Sequence, residues 1–328
     1  MASRRRSDSG LQQLDLIDKL TLPAFAITMF LEHRSLRKRR LRELPDIDFK
    51  APPDNGDPEP DELVPLGFEK NDTFSSLTIL AGSIVIGLVL QGPYTKVDQW
   101  LFDRRVSRFG LRRGKFVAAL VFWDFLYYVH HRLMHRVRLF WADHEVHHSG
   151  RRYNLSTALR QSWNGYLTHW IYLPMPLLGF APRTIAKARQ LNLLYQYWIH
   201  TEAIDRLPAW FEKVFNTPSH HRVHHGANKQ YIDRNYAGIF IIWDRLFKTF
   251  EPEVRQPVYG LTTNITSFNP VKAAYHELAN LTRDVAGAQS PADAFKYVFA
   301  PPGWAPDDDD PTTHDPTAGP KVPALTNA

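Results

Sequence analysis

Fifteen histidines stand in a chain of 328 residues, and twelve of them fall between His130 and His225. Three tight groups account for most of that density: His131-Arg-Leu-Met-His135, His144-Glu-Val-His147-His148 and His221-Arg-Val-His224-His225. On a helix, side chains three or four positions apart share a face, so each group is expected to present two or three imidazoles in one direction. Neutral imidazole nitrogen suits iron, zinc, copper and nickel. Eight such ligands are too many for one ion, because a mononuclear site takes three or four protein ligands and keeps a position open. Two ions with about four nitrogens each would use the set well. A metal-free polyhistidine face would also gather positive charge as the pH falls, which makes a purely structural role costly.

His200 ends an apolar run over residues 191–199 and is a candidate for a ninth ligand. His130 and His220 adjoin His131 and His221 but turn about 100° away on a helix. His169 stands alone in an apolar stretch, and His33, His276 and His314 lie far off and read as bystanders. The second group also spells HExxH through His144, Glu145 and His148. In zinc peptidases that pattern supplies two ligands and a base, but His147 and the two other groups have no role in such a design. Asp143, Glu145, Glu202 and Asp244 lie beside the groups and are candidates to orient the ligands. Asn154, Arg160 and Asn235 could orient ligands or a head group.

The elements that carry these residues are expected to be all-α. Apolar residues make up 44% of the chain, which excludes a wholly disordered polymer. The absence of cysteine excludes disulfide scaffolds, cysteine-ligated zinc, iron–sulfur clusters and cysteine nucleophiles. Residues 75–92 run without a charge and are the best transmembrane candidate. Residues 20–31 are apolar for too short a length to span a bilayer straight, so they read as a short span or an interfacial helix. Further apolar stretches cover 116–129, interrupted by Asp124, then 165–180 and 191–199. With Trp100, Trp163, Trp170, Tyr172 and Trp198 at their flanks, these stretches point to an integral-membrane helical bundle. A mean hydropathy of -0.36 is what a short-spanned bundle with a large polar cap would give.

Basic runs at 34–42 and 104–115 flank apolar segments and lack interleaved aromatics. With a net charge of +6, they favour anionic lipid head groups over nucleic acid. Residues 1–19 form a basic N-terminal segment with no visible secretory signal. Residues 45–65 read as a proline- and acid-rich loop, and 301–328 as a disordered tail. That leaves 20–300 as the domain.

The pattern resembles the fatty acid hydroxylase and sterol desaturase superfamily. Asp124-Phe-Leu-Tyr-Tyr resembles the aromatic lead-in to its first box, and residues 144–161, 195–202 and 216–250 are similar to alkylglycerol monooxygenase and its bacterial relatives. The resemblance runs over about residues 20–285. It implies a membrane-bound non-haem di-iron oxygenase: a four-helix membrane bundle with a cytosolic histidine-rich di-metal cap. The implied iron ligands are His131, His135, His144, His147, His148, His221, His224 and His225, with His200 matching an additional family histidine. It further implies O2 as co-substrate, a lipid-like substrate that is hydroxylated or desaturated, and a bacterial inner-membrane location with the metal site on the cytoplasmic side. The electron donor would be tetrahydrobiopterin or an electron-transfer protein. The subgroup tends to have an acidic residue directly after the first box, where this chain has Arg136, a departure that bears on pterin use. A membrane-associated zinc hydrolase and a metal-binding or transport protein are the alternatives.

Overall fold

A computed structural model describes residues 16–37, 66–111 and 114–306. The helices are α1 (Leu16–Leu36), α2 (Lys70–Asp103), α3 (Lys115–Arg136), α4 (Arg138–His148), α5 (Pro174–Leu177) and α6 (Pro182–Ile199). They continue as α7 (Ala209–Glu212), α8 (Pro218–His224), α9 (Ile242–Leu246), α10 (Pro270–Ala286) and α11 (Pro291–Phe299). No strand occurs among the described residues, only an isolated bridge between Gly226 and Tyr259.

Helix ends follow local chemistry. The Glu69 side chain accepts from the Asp72 amide at 2.6 Å and starts α2. Proline occupies the first position of α6, α8, α10 and α11, where its missing N–H costs nothing. Val137 takes an extended conformation (φ -126°) between α3 and α4, so the two histidine-bearing helices meet at an angle set by one residue.

Two regions of unlike character result. α2 has 34 residues and a length of about 51 Å. Among the described residues it is the helix long and apolar enough to cross a bilayer. Ile84, Val85, Leu88, Val89 and Trp100 along it are exposed, as are Leu20, Leu22, Ile27, Phe30 and Leu31 of α1. The cap is different. α3, α4, α6, α8 and α10 pack around a buried polar interior, with an apolar core beside it made of Ala119, Trp123, Leu126, Ile171, Met175, Phe180, Ile185 and Ala188.

Three sequence expectations change. The apolar stretch 165–180 is not one helix: it is a 3-10 segment, Gly165–Tyr172, followed by the four-residue α5. Pro174 and Pro176 and the positive φ of Gly179 (90°) break it. α1 extends well beyond residues 20–31, and its Glu32 turns inward to accept from the Leu155 amide at 2.8 Å. Trp304, assigned to the tail, packs edge-on against Tyr297 with ring centroids 5.2 Å apart. The loop expected at 45–65, and the tail beyond 306, lie outside the described residues.

Candidate metal centre

The three histidine groups do not stay separate. His131, His135, His144, His148 and His224 bring one nitrogen each within 4.8 Å of one another, and His147, His200, His221 and His225 do the same beside them. The helical repeat explains the sorting. His144 and His148 are four apart and face one pocket, while His147 faces the other; His221 and His225 are four apart, while His224 crosses over. The expectation that each group points in one direction therefore holds for the first and fails for the other two. The pockets touch, for the His148 and His225 rings stack at 4.4 Å. All nine histidines are less than a tenth exposed.

The outer nitrogens fix the tautomers. Nδ1 of His131 lies 2.8 Å from the Tyr236 carbonyl, that of His147 3.2 Å from Arg160, that of His200 2.7 Å from Gln196, and that of His224 2.9 Å from Arg234. A carbonyl only accepts, so each Nδ1 must carry the proton and each Nε2 must present a lone pair. Yet Nε2 of His147 and Nε2 of His200 are 3.2 Å apart. Two lone pairs face each other with no proton between them, an arrangement that a cation relieves. Nε2 of His135, His224 and His225 and Nδ1 of His221 are buried without a partner. The donor set therefore fits metal ions, one in each pocket.

Burial drives the imidazoles toward the neutral form that ligation needs. It lowers His147 to about 4, and it holds His144, His148, His200, His221, His224 and His225 well below their usual range, with the neighbouring imidazoles adding to the effect.

Residues 116–249 match the fatty acid hydroxylase family. They place the chain in the fatty acid hydroxylase superfamily. Alkylglycerol monooxygenase of Homo sapiens is 48% identical over 183 residues, covering 56% of this chain and 41% of that protein. The Danio rerio enzyme of the same name is 46% identical over 254 residues, covering 68% and 56%. An ornithine lipid hydroxylase of Rhizobium tropici is 26% identical over 163 residues, covering 45% and 46%. The chain thus spans about half the length of the curated relatives it matches. No solved structure matches.

Within this fatty acid hydroxylase domain, the candidate orienting residues divide. The Asp244 carboxylate accepts from the Tyr236 and Ala237 amides at 2.8 and 2.9 Å, and so fixes the carbonyl that His131 uses. Burial raises its carboxyl to about 6. Arg160 offers its own carbonyl to His147, while its guanidinium bonds the Val146 carbonyl, Ser149 and Asp72 of α2. Asn235 ties the His220 carbonyl of α8 to Glu251.

The other four serve elsewhere. Asp143, also raised to about 6 by burial, holds Ser162 and the Asn164 amide. Asn154 braces its own turn and the Gly67 carbonyl. Glu202 takes a hydrogen bond from Tyr259 and lies 3.9 Å from Arg222. Glu145 accepts from His276 of α10 at 3.1 Å, so the would-be base of HExxH is engaged outside the pocket that His144 and His148 enter.

Two supports escaped the sequence reading. Asp124 is fully buried and accepts from the Ile239 and Phe240 amides, Trp243 and Asn192, at 2.6–3.1 Å. It anchors the segment carrying Tyr236, and Gly238 is required there because a Cβ would sit 2.7 Å from Asp124 Oδ1. A lone acid inside an aromatic helix was the available signal. Asp233 Oδ1 lies 3.6 Å from His135 Nδ1 and Oδ2 accepts from Arg136 at 2.7 Å. Burial alone would raise this carboxyl, but His135 and Arg136 outweigh it and hold it below the usual range. Nothing in the local sequence marked Asp233.

Proposed function

We propose that this chain is an O2-dependent membrane oxygenase that hydroxylates, or desaturates, a lipid-like substrate, with two iron ions held by the nine converging histidines. The facing lone pairs of His147 and His200 carry the reading, because neutral imidazoles held this way need a cation between them. Similarity to alkylglycerol monooxygenases supports the oxygenase class and the lipid-like substrate. His131, His135, His144, His148 and His224 would hold one ion, and His147, His200, His221 and His225 the other. When bound, the ions supply the redox chemistry that activates O2.

In the hydroxylation balance, one oxygen atom enters a C–H bond and the other leaves as water. Two electrons and two protons come from an external donor, tetrahydrobiopterin or an electron-transfer protein. At a carbon beside an ether oxygen the product is a hemiacetal, which splits to an aldehyde and an alcohol. The protein's part is to exclude water by burying all nine rings, to fix ring orientation through Nδ1–H donors, and to hold Tyr236 and Arg234 where those donors need them. Substrate would reach the centre from a bilayer along the exposed apolar sides of α1 and α2. We assign the protein to the bacterial inner membrane, with the basic runs against anionic head groups and the centre on the cytoplasmic side.

The test is anaerobic purification in detergent, metal quantification, and ferrous reconstitution with an ether lipid, a fatty acid and a sterol under O2. Two irons per chain, and iron-dependent O2 uptake with an oxidised lipid product, are expected. A single zinc with no iron-dependent uptake overturns the reading.

A further inference from the structure

Among the described residues, one cluster of potential ligands lies outside both histidine pockets. Glu145 of α4 and His276 and Glu277 of α10 bring one donor atom each within 4.8 Å of one another. Glu145 is 5% exposed. Its Oε1 accepts from His276 Nδ1 at 3.1 Å, while its Oε2 is buried and accepts nothing. Glu277 Oε1 takes Arg138 Nε at 2.7 Å and Oε2 takes Asn280 at 3.2 Å. A buried carboxylate oxygen without a donor is costly. His276 is 36% exposed, so the cluster opens to solvent on one side.

We propose that Glu145, His276 and Glu277 form a further divalent-cation site, which takes a zinc-like ion and staples α10 to the helix that carries His144, His147 and His148. One imidazole nitrogen and two carboxylate oxygens make a borderline donor set that zinc accepts, with water completing four-coordination. Ligands about 2.1 Å from such an ion lie about 3.4 Å from one another, and the three donors already lie within 4.8 Å of one another. Glu145 and Glu277 bring two carboxylates to the cluster, and Asp284 shares the Arg138 guanidinium with Glu277. The ion would supply the positive partner that Glu145 Oε2 lacks. This site does not depend on the oxygenase reading, because none of its three ligands enters the histidine pockets.

The experiment is equilibrium dialysis of the chelator-stripped, full-length protein in detergent against Zn2+, with bound zinc counted per chain for the wild type and for His276→Asn. Asparagine keeps an N–H to donate to Glu145 but does not replace imidazole as a ligand. The variant is expected to bind one zinc fewer and to lose part of the zinc-dependent rise in unfolding temperature. Unfolding in chelator checks its fold; where that temperature differs from the wild type, Glu145→Gln supplies the same count. Equal zinc counts in wild type and variant overturn the site. The remainder reports on the pockets separately: two ions in the variant support the paired centre and none refutes it, whichever way the difference falls.

Discussion

The two histidine pockets share a wall and use the same ligand chemistry, but different structures stand behind them. Behind the five-histidine pocket is one short turn, which supplies the Tyr236 and Arg234 carbonyls and the Asp233 carboxylate. Asp233 and Asn235 in that turn hold positive φ values of 62° and 56°, a left-handed conformation that aspartate and asparagine reach more readily than other non-glycine residues and that their surroundings enforce here. Asp124, Asp244 and Asn235 provide that enforcement. Behind the four-histidine pocket stand the last turn of α6, through the Gln196 carbonyl, and the Arg160 carbonyl, anchored by ion pairing to α2. One pocket leans on a left-handed turn and the other on helix ends. Disturbing the outer supports should therefore affect the pockets one at a time.

The largest expected effects come from the ligands. His224→Ala should empty the five-histidine pocket and His200→Ala the four-histidine pocket, each leaving about one iron per chain and lowering turnover by more than about 100-fold. Loss of both irons in either variant would show that the pockets are not separable. Acid comes next. His144, His148, His200, His221, His224 and His225 have folded-state values below the ordinary 6.5, and His147 is lowered to about 4, so the unfolded chain binds protons first as the pH falls. Stability of the metal-free protein should thus be fully present above about 6.5 and decline toward about 4. A denaturant titration at several pH values checks this, and a flat profile would mean the pocket is wetter than the geometry indicates.

Smaller effects test the supports. Gly238→Ala forces a methyl against Asp124 and Asn192, at a cost of about 1–3 kcal/mol in unfolding free energy. Iron affinity should weaken in the five-histidine pocket and stay unchanged in the other. Asp233→Asn should weaken iron in that same pocket by about tenfold, read by chelator competition. Equal losses from both pockets would dissolve the contrast between turn and helix end.

Much of the centre was legible in the primary structure. The spacing of four in His131/His135, His144/His148 and His221/His225 reports the helical repeat directly, and those pairs do converge. The third histidine of the second and third groups misled, because spacing alone does not say that a second pocket lies on the adjoining face. His276 read as a bystander because 131 residues separate it from Glu145, and only the packing of α10 on α4 closes that distance. Asp124 read as an interruption of an apolar helix because its partners, Ile239, Phe240 and Trp243, are more than a hundred positions away. The stretch 165–180 was apolar throughout, yet its prolines outweighed hydropathy.

The sequence by itself determined the candidate ligand type, the number of imidazoles and the superfamily, because these depend on residue identity and on motifs whose spacing follows a repeat of 3.6. Tertiary structure decided how nine histidines divide into five and four, which tautomer His131, His147, His200 and His224 take, and which carboxylates support them. Those outcomes depend on which carbonyls and acids arrive from distant segments, and the division between two adjoining pockets arises only when α3, α4, α6 and α8 pack against one another.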